Sequence, residues 1–388
     1  MIKLTENEQK IDSKIRQLKE AAGSHSPSLF TIVEDLPELN IKVDACFLSN
    51  PYATELFLGY LKKELVDTGK LRDVLEFYPS QNDVIADMIS KSININKDNI
   101  FVGNGAIEVI QAVMHTFVGK KIIVNIPTFS SYYEYAREDT KVIYYQLDKK
   151  DNYSLNADKY IEFVKAKNPD SVVIINPNNP NGGYLDYKDL RFILNNLKGI
   201  ENIIIDESFI HFAFEDSEYS LISATELFKD FSNVIVIKSM SKDFGIAGIR
   251  AGYGVMDKYK VSRLLKNGFL WNSSGLSEYF FRLYKRDDFF NEYEKVRKKY
   301  IIEAQSFFEE LLKIQEIKVY PSMANFALIE LLDGSTSADF VSKMLIKYGV
   351  YTRTGSDKIG LSGEFIRIAG RTKEENKIII DSIKDIFN

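Results

Sequence analysis

Cysteine and histidine are scarce in this chain of 388 residues. It has one cysteine, Cys46, and three scattered histidines, His25, His115 and His211. A single cysteine excludes an internal disulfide and a cluster of thiolate ligands, and three dispersed histidines do not form a convincing metal site. We therefore expect no bound metal, and a reducing compartment, the cytoplasm, fits this composition.

The chain also lacks an excess of one charge and any long apolar run. Its 50 basic and 55 acidic residues give a formal charge of −5, and their even scatter argues against nucleic acid or an anionic membrane as a partner. The N-terminal segment is rich in Lys, Glu and Gln, unlike a signal peptide, and no apolar run is long enough to span a bilayer. With 45% hydrophobic side chains the chain can bury more than one core.

Short apolar runs alternate with amphipathic stretches through the middle of the chain, which is typical of parallel strands joined by helices. After residue 271, long charged helices are predicted, as over Phe280–Leu312, and a closing helix from Lys373. The sequence predicts an α/β fold with a mostly parallel central sheet and flanking helices: a large domain at 71–272 and a smaller α+β domain from 1–70 and 273–388. The predicted strands are Ile122–Ile126, Ser171–Ile175, Asn202–Ile205, Asn233–Ile237 and Ala251–Val255.

A lysine, two serines and an arginine follow the predicted strand that ends at Ile237. A lysine at a strand end is well placed to be partly desolvated, which lowers its pKa and makes its amine a nucleophile toward a carbonyl. We assign this role to Lys242. Ser239, Ser241 and Arg250 are suited to hold a phosphate dianion beside it. The alternative interpretation is a solvated surface loop.

Two more polar residues follow neighbouring predicted strands. A buried carboxylate at Asp206 needs a cationic partner, such as a protonated pyridine nitrogen, whereas the alternative is a helix N-cap. Asn179 lies in the turn Asn176-Pro-Asn-Asn-Pro-Asn-Gly-Gly183, where its amide can donate to a phenolate oxygen. Each residue alone is weak evidence, but their order along the chain with Lys242 indicates one site.

The segment Gly103-Asn-Gly-Ala-Ile-Glu108 opens an amphipathic stretch that predicts a helix. At a helix N-terminus, the amides of Gly105, Ala106 and Ile107 would point toward an anion. No Gly-Lys-Ser/Thr follows, so a nucleoside triphosphate loop is disfavoured.

Aromatic residues follow the predicted strand at Ile122–Ile126, in Pro127-Thr-Phe-Ser-Ser-Tyr-Tyr133. Phe129 is suited to stack on a flat heteroaromatic ring, and core packing is the alternative. Tyr132 and Tyr133 fit either role.

Together these segments resemble fold-type-I aminotransferases that depend on pyridoxal 5'-phosphate (PLP). Within them the chain is similar to the branch of histidinol-phosphate aminotransferase and threonine-phosphate decarboxylase. The resemblance extends over nearly the whole chain, from Ser49-Asn-Pro-Tyr52 through Tyr78-Pro-Ser-Gln81 to Phe365-Ile-Arg-Ile-Ala-Gly-Arg371. It implies the PLP-dependent transferase fold, PLP as the cofactor and a homodimer with sites at its interface.

The resemblance implies a role for each matching position. Lys242 matches the Schiff-base lysine and proton shuttle, Asp206 the partner of the pyridine nitrogen, and Asn179 the donor to the ring hydroxyl's oxygen. Tyr78 matches a tyrosine that reaches the phosphate of the neighbouring subunit's cofactor. Arg367 matches the arginine that binds the substrate α-carboxylate, a bidentate task suited to guanidinium. The other implied cofactor contacts are Gly105, Ala106, Phe129, Ser239, Ser241 and Arg250.

Two positions depart from the aminotransferase side of this branch. Phe209 stands where many relatives carry a tyrosine that hydrogen-bonds the ring hydroxyl, and Arg371 stands where a threonine is usual. Both resemble the decarboxylase side. Arg371 is a candidate contact to a substrate carboxylate, phosphate or phosphonate, with a surface residue as the alternative. Asn50 and Trp271 are further candidate substrate contacts.

The favoured prediction is a PLP-dependent aminotransferase acting on a small amino acid, amino-phosphate or amino-phosphonate. The alternative is a PLP-dependent decarboxylase of a phosphorylated amino acid, because the same residues serve both reactions. The α-proton leaves if Arg367 holds the carboxylate in the ring plane, and carbon dioxide leaves if the carboxylate is perpendicular. A non-catalytic PLP-binding sensor is the second alternative, and the short N-terminal helix leaves no room for the helix-turn-helix that such regulators carry.

Overall fold

The computed structural model describes residues 4–269 and 271–388. The helices are α1 Glu6–Ala22, α2 Leu29–Asp35, α3 Pro51–Leu61, α4 Leu71–Glu76, α5 Asn82–Ile93, α6 Ala106–Thr116, α7 Ser131–Glu134, α8 Ala157–Lys167, α9 Tyr187–Asn196, α10 Lys258–Lys266, α11 Gly275–Tyr284, α12 Asp287–Leu311, α13 Ser337–Tyr348 and α14 Lys373–Phe387. The strands are β1 Val43–Asp44, β2 Ile100–Asn104, β3 Lys121–Ile126, β4 Lys141–Gln146, β5 Ser171–Ile175, β6 Asn202–Asp206, β7 Val234–Ser239, β8 Ala251–Val255, β9 Ile317–Val319, β10 Phe326–Leu331, β11 Val350–Tyr351, β12 Arg353–Thr354 and β13 Phe365–Ala369.

A seven-stranded sheet in the order β2-β8-β7-β6-β5-β3-β4 forms the centre of the large domain. Strands β3 to β7 run parallel, and β8 is antiparallel to both of its neighbours. The central strands are buried on both faces, which explains their continuous Val/Ile runs. All five predicted strands are present, and the α/β fold with a mostly parallel sheet is confirmed.

The smaller sheet is antiparallel, in the order β12-β13-β10-β9, and β1 pairs with β11 beside it. Side chains alternate across β13: Ile366 and Ile368 enter the apolar core beneath α12, α13 and α14, whereas Arg367 faces the other way. This alternation points Arg367 toward the large domain.

The core of the large sheet extends beyond the predicted range 71–272. Ala53 and Phe57 of α3 pack in the same apolar cluster as Phe280 of α11 and Tyr293 of α12. The covering helices of the large sheet therefore include segments from both sides of that range.

The long charged helices predicted over Phe280–Leu312 are confirmed as α11 and α12. Arg286 between them has an extended backbone, with φ −97° and ψ 130°. Asp287 and Asp288 then occupy the first turn of α12, where the helix dipole favours negative charge. The predicted closing helix is confirmed as α14.

Within the described ranges, none of the helices combines the length and the apolar character needed to cross a membrane.

Candidate functional site

A cavity of about 250 Å³ lies at the carboxyl edge of the large sheet, and residues of both domains line it. Asp206 ends β6, and the Ser239–Lys242 segment continues directly from β7, so the parallel strands bring these side chains to one edge. The predicted site residues that line the cavity are Ala106, Ile107, Phe129, Asn179, Asp206, Ser239, Ser241, Lys242, Arg250 and Arg367.

Asp206 is a buried carboxylate with an exposed fraction of 2%. Its Oδ2 accepts a hydrogen bond from the Tyr132 hydroxyl at 2.8 Å, and its Oδ1 accepts one from the Ser208 amide at 2.8 Å. Burial raises the pKa of Asp206, and the hydrogen bonds from Ser208 and Tyr132 oppose that rise. Tyr132, whose role the sequence left open, therefore supports Asp206 rather than stacking on a ligand. A protonated ring nitrogen would supply the cation that this carboxylate lacks.

The loop before α6 forms an anion site. Gly105 is the N-cap and no side chain caps the helix there, so the amides of its first turn remain available. Gly105 has φ +74°, and a Cβ on it would lie 2.3 Å from Nη2 of Arg250. Glycine therefore permits the Arg250 guanidinium to lie against the loop. Ser239 and Ser241 line the cavity beside them.

Lys242 has the properties expected of a nucleophilic amine. Burial lowers its pKa to about 8, with further contributions from the charges of Arg367 and Arg250. Its main-chain carbonyl accepts hydrogen bonds from the amides of Asn50, at 2.8 Å, and Gly245, at 3.2 Å. The lysine is therefore held by its backbone, while its side chain faces the cavity.

Arg367 and Asn179 are joined across the two domains. Nη1 of Arg367 donates to Oδ1 of Asn179 at 2.8 Å, and Nη2 donates to the Cys46 carbonyl at 2.9 Å. Burial, together with the nearby charge of Arg353, lowers the pKa of Arg367 to about 9. This hydrogen bond leaves the amide nitrogen of Asn179 for another acceptor.

Phe209 also lines the cavity, where it packs edge-to-face on Phe326 with ring centroids 5.0 Å apart. A phenyl ring supplies no hydroxyl donor, so the hydrogen bond that a tyrosine would give to the cofactor ring is absent from this position.

Two predicted substrate contacts lie outside this cavity. Asn50 caps α3, because its Oδ1 accepts from the amides of Tyr52 and Ala53 at 3.0 and 3.3 Å. Arg371 follows the end of β13, and its Nη1 donates to the Ser49 carbonyl at 3.1 Å. Neither residue lines the cavity, so their substrate roles stay predictions.

Tyr78 and Trp271 likewise do not line the cavity of their own chain. Their exposed fractions are 86% and 54%, and their rings lie against each other with centroids 5.8 Å apart. Both residues are on the outer surface of the large domain.

A group of cations and the loop that faces them were not predicted from the sequence. Arg353 and Lys358 line the cavity together with Ser24, His25 and Ser26 of the loop after α1. Nη1 of Arg353 donates to Oγ of Ser26 at 3.2 Å, although the two residues are 327 positions apart. The local signal for this group in the sequence is that two basic residues occur shortly before β13.

The site fits PLP in three respects. A buried carboxylate is placed for the ring nitrogen, uncapped helix amides with Arg250 and two serines are placed for the phosphate, and a lysine of lowered pKa is placed for the aldehyde. Among the described residues, no group of three or more His, Cys, Asp or Glu side chains is arranged to hold a metal ion.

The family model for aminotransferase class I and II matches residues 60–383. The chain is 66% identical over 387 residues to an L-serine phosphate decarboxylase of Campylobacter jejuni, covering 100% of this chain and 99% of the relative. It is 30% identical over 386 residues to a histidinol-phosphate aminotransferase of Methanococcus aeolicus, covering 97% and 100%. The solved structure of a decarboxylase from Sulfurospirillum multivorans is similar with a TM-score of 0.94 and 48% identity, covering 98% of this chain and 97% of that one.

Proposed function

Because the chain belongs to the class I and II aminotransferase family, we propose that this PLP-dependent enzyme decarboxylates L-serine phosphate. Two similar proteins, which are 66% and 49% identical to this chain, are called L-serine phosphate decarboxylases. Transamination, the prediction favoured from sequence, is not specifically supported, since the aminotransferase relative is much less similar. The decarboxylase alternative replaces it.

The observation that carries the proposal is a cluster of cations beyond those that the cofactor needs. Arg250 lies against the loop before α6, whereas Arg353, Lys358 and Arg367, which also line the cavity, lie near one another. An ordinary amino acid brings one carboxylate, for which one arginine suffices. A second anionic group on the substrate accounts for the additional cations, and a phosphate carries up to two negative charges.

The charges of this cluster repel one another in the absence of an anion. Burial, together with the charge of the neighbouring Arg353, lowers the pKa of Lys358 to about 8. Lys358 has an exposed fraction of 6%, and its Nζ lies 3.8 Å from the carboxylate of Asp357, which also pairs with Arg353 at 2.7 Å. Because Nζ of Lys19 also lies 3.8 Å from Asp357, one carboxylate serves three cations, and a bound phosphate would supply the missing negative charge.

When bound, PLP supplies the sink for the electrons of the bond that breaks. Asp206 would keep a proton on the ring nitrogen, and Asn179 would donate to the ring oxygen. Arg353 and Lys358 would anchor the substrate phosphate, which would fix the orientation in which the substrate presents its carboxylate. The bond from Cα to the carboxylate then breaks, carbon dioxide leaves, and Cα takes a proton from Nζ of Lys242. The product is ethanolamine phosphate. Because the pKa of Lys242 lies near 8, its amine is poised to release a proton near neutral pH.

The test compares carbon dioxide release from L-serine phosphate, L-serine and L-threonine phosphate. We expect the highest kcat/KM with L-serine phosphate and a loss of about 100-fold or more with L-serine, since charge-assisted hydrogen bonds to the phosphate are absent. Equal rates with L-serine would contradict phosphate recognition. Accumulation of the pyridoxamine form of the cofactor without carbon dioxide would restore transamination.

We also propose that the enzyme acts as a homodimer in which Tyr78 reaches the partner's site. The high exposure of Tyr78 and of the neighbouring Phe77, at 86% and 64%, supports this, since large apolar side chains grouped on a surface favour burial in an interface. The separation of Tyr78 from its own cavity supports it as well. Light scattering measures the mass directly.

A further inference from the structure

A buried group of charges lies on the other side of β7 from the PLP cavity. We call Glu207, His211, Lys238 and Asp243 the rear cluster; their exposed fractions are 1%, 7%, 3% and 0%. Alternation along β7 explains the placement, because Ser239 lines the PLP cavity and Lys238, one residue earlier, points to the opposite face. A charge buried this deeply is costly unless it is paired.

Lys238 is the centre of the rear cluster. Its Nζ forms an ion pair with Oδ2 of Asp243 and donates to the main-chain carbonyl of Glu207 at 3.2 Å. The other carboxylate oxygen of Asp243, Oδ1, is buried and has no hydrogen-bond partner among the described residues. The charge of Asp243 therefore depends chiefly on Lys238.

These contacts reach the two residues that hold opposite ends of the cofactor. Glu207 directly follows Asp206, and Asp243 directly follows Lys242. We propose that the Lys238–Asp243 ion pair positions Asp206 and Lys242 relative to each other and keeps Asp206 ionised, so that Lys238 is a positioning residue of the cofactor site. This inference rests on the PLP site of the proposed function and is independent of which substrate the enzyme takes.

The electrostatics of the neighbouring groups support the proposal. Burial raises the pKa of Asp206, while its hydrogen bonds and the charge of Lys238 lower it. Burial lowers the pKa of His211, and the charges of Lys238 and Arg297 lower it further, so the imidazole is neutral. Its Nδ1 lies 2.8 Å from the Tyr293 hydroxyl and 3.2 Å from Asp243.

Glu207 of the rear cluster and two tyrosines that face it are each held in a neutral or locally compensated form. Burial raises the pKa of Glu207 to about 7, and its carboxylate accepts from the Ala224 amide and the Ser223 hydroxyl. Burial likewise raises the pKa of Tyr253 and Tyr284, which keeps both phenols neutral. Lys238 is therefore the cation of the rear cluster whose charge acts on Asp206.

The test follows the visible absorbance of the PLP enzyme, without substrate, as a function of pH. This titration gives the pKa of the lysine–cofactor linkage. In Lys238→Met the loss of a positive charge favours the protonated linkage, so we expect this pKa to rise by about half a unit or more. The PLP dissociation constant should rise about tenfold or more, because Asp243 is left buried without its partner.

Three variants separate positioning from a general loss of stability. Lys238→Arg keeps the charge and should retain the wild-type linkage pKa. Asp243→Asn leaves the positive charge in place, so its linkage pKa should fall or stay unchanged. Lys149→Met breaks an ion pair with Glu330 outside the site and should leave both the linkage pKa and PLP affinity unchanged. Lys238→Gln replaces Lys238→Met if the latter does not fold.

The proposal is overturned if removing the charge of Lys238 leaves the linkage pKa unchanged, or if Asp243→Asn raises it as Lys238→Met does. Because no substrate is present, this result is independent of the reaction. A wild-type enzyme that releases no carbon dioxide from L-serine phosphate, together with the expected shifts, would reject the proposed function and leave the positioning role intact.

Discussion

Replacing Arg353 by glutamine should weaken the use of L-serine phosphate while leaving the cofactor in place. The side chain is 10% exposed, and its guanidinium is oriented by Asp357 at 2.7 Å and by Ser26 at 3.2 Å. A hydrogen bond to a charged group contributes about 1.5–3 kcal/mol, which corresponds to a factor of about 10 to 150 in kcat/KM.

The neighbouring lysine reduces this loss. Because Arg353 contributes to the lowered pKa of Lys358, removing the arginine restores part of the lysine's charge. We therefore expect the lower part of the range, about 10- to 40-fold, expressed mainly in KM. The inhibition constant of inorganic phosphate as a competitor should rise by a similar factor.

The assay is the initial rate of carbon dioxide release over a range of L-serine phosphate concentrations, with PLP affinity measured in parallel. Arg16→Gln is the matched control, because Arg16 also pairs with an aspartate, Asp339, at 2.6 Å, but does not line the PLP cavity. It should change kcat/KM by less than about twofold. An unchanged KM in Arg353→Gln, or an equal loss in both variants, would refute the assignment of Arg353 to the substrate phosphate.

Four other changes have defined outcomes. Lys242→Ala should lose the visible absorbance that borohydride reduces, and a variant that still forms a reducible lysine adduct would show that another lysine is used. Gly105→Ala should weaken PLP binding about tenfold or more, because the added Cβ meets Arg250 at 2.3 Å and the backbone has φ +74°. Equilibrium titration measures this affinity. An unchanged affinity would contradict the placement of the cofactor phosphate at this loop. KM for L-serine phosphate should rise as the pH increases through about 8, the pKa of Lys358, because the lysine binds phosphate only while charged. The Lys358→Arg variant should abolish this rise in KM. A rise that persists in Lys358→Arg would exclude Lys358 as its cause. Mixing inactive Lys242→Ala with a weakly active Tyr78→Ala variant should regenerate activity in hybrid dimers, since one site then combines an intact lysine with the partner's intact tyrosine. The absence of recovery would argue against a shared site.

The cofactor half of the site was predictable because its residues follow consecutive strands. Asn179, Asp206 and Lys242 each lie at or beyond the carboxyl end of a buried strand, and a parallel sheet brings such ends together. The chain order alone therefore indicated their proximity. The supporting contact from Tyr132 was not predictable, because either of two adjacent tyrosines fitted a core or a site position.

The substrate half of the site depends on contacts between distant segments. Arg353 meets the Ser24–Ser26 loop because the pairing of β1 with β11 brings the N-terminal segment beside the smaller sheet. Arg371 was the more conspicuous arginine in the sequence, yet it lies beyond the end of β13 and is held by the Ser49 carbonyl. Alternation along β13 accounts for Arg367 but not for a residue outside the strand.

The most direct test of the proposed decarboxylation uses NMR in heavy water to follow L-serine phosphate that is labelled with ¹³C at its carboxyl carbon. We expect one labelled carbon dioxide per substrate consumed, and ethanolamine phosphate with one deuteron on the former Cα, delivered through Lys242. Label retained in a keto acid, with the cofactor converted to its pyridoxamine form, would contradict decarboxylation as the function of this site.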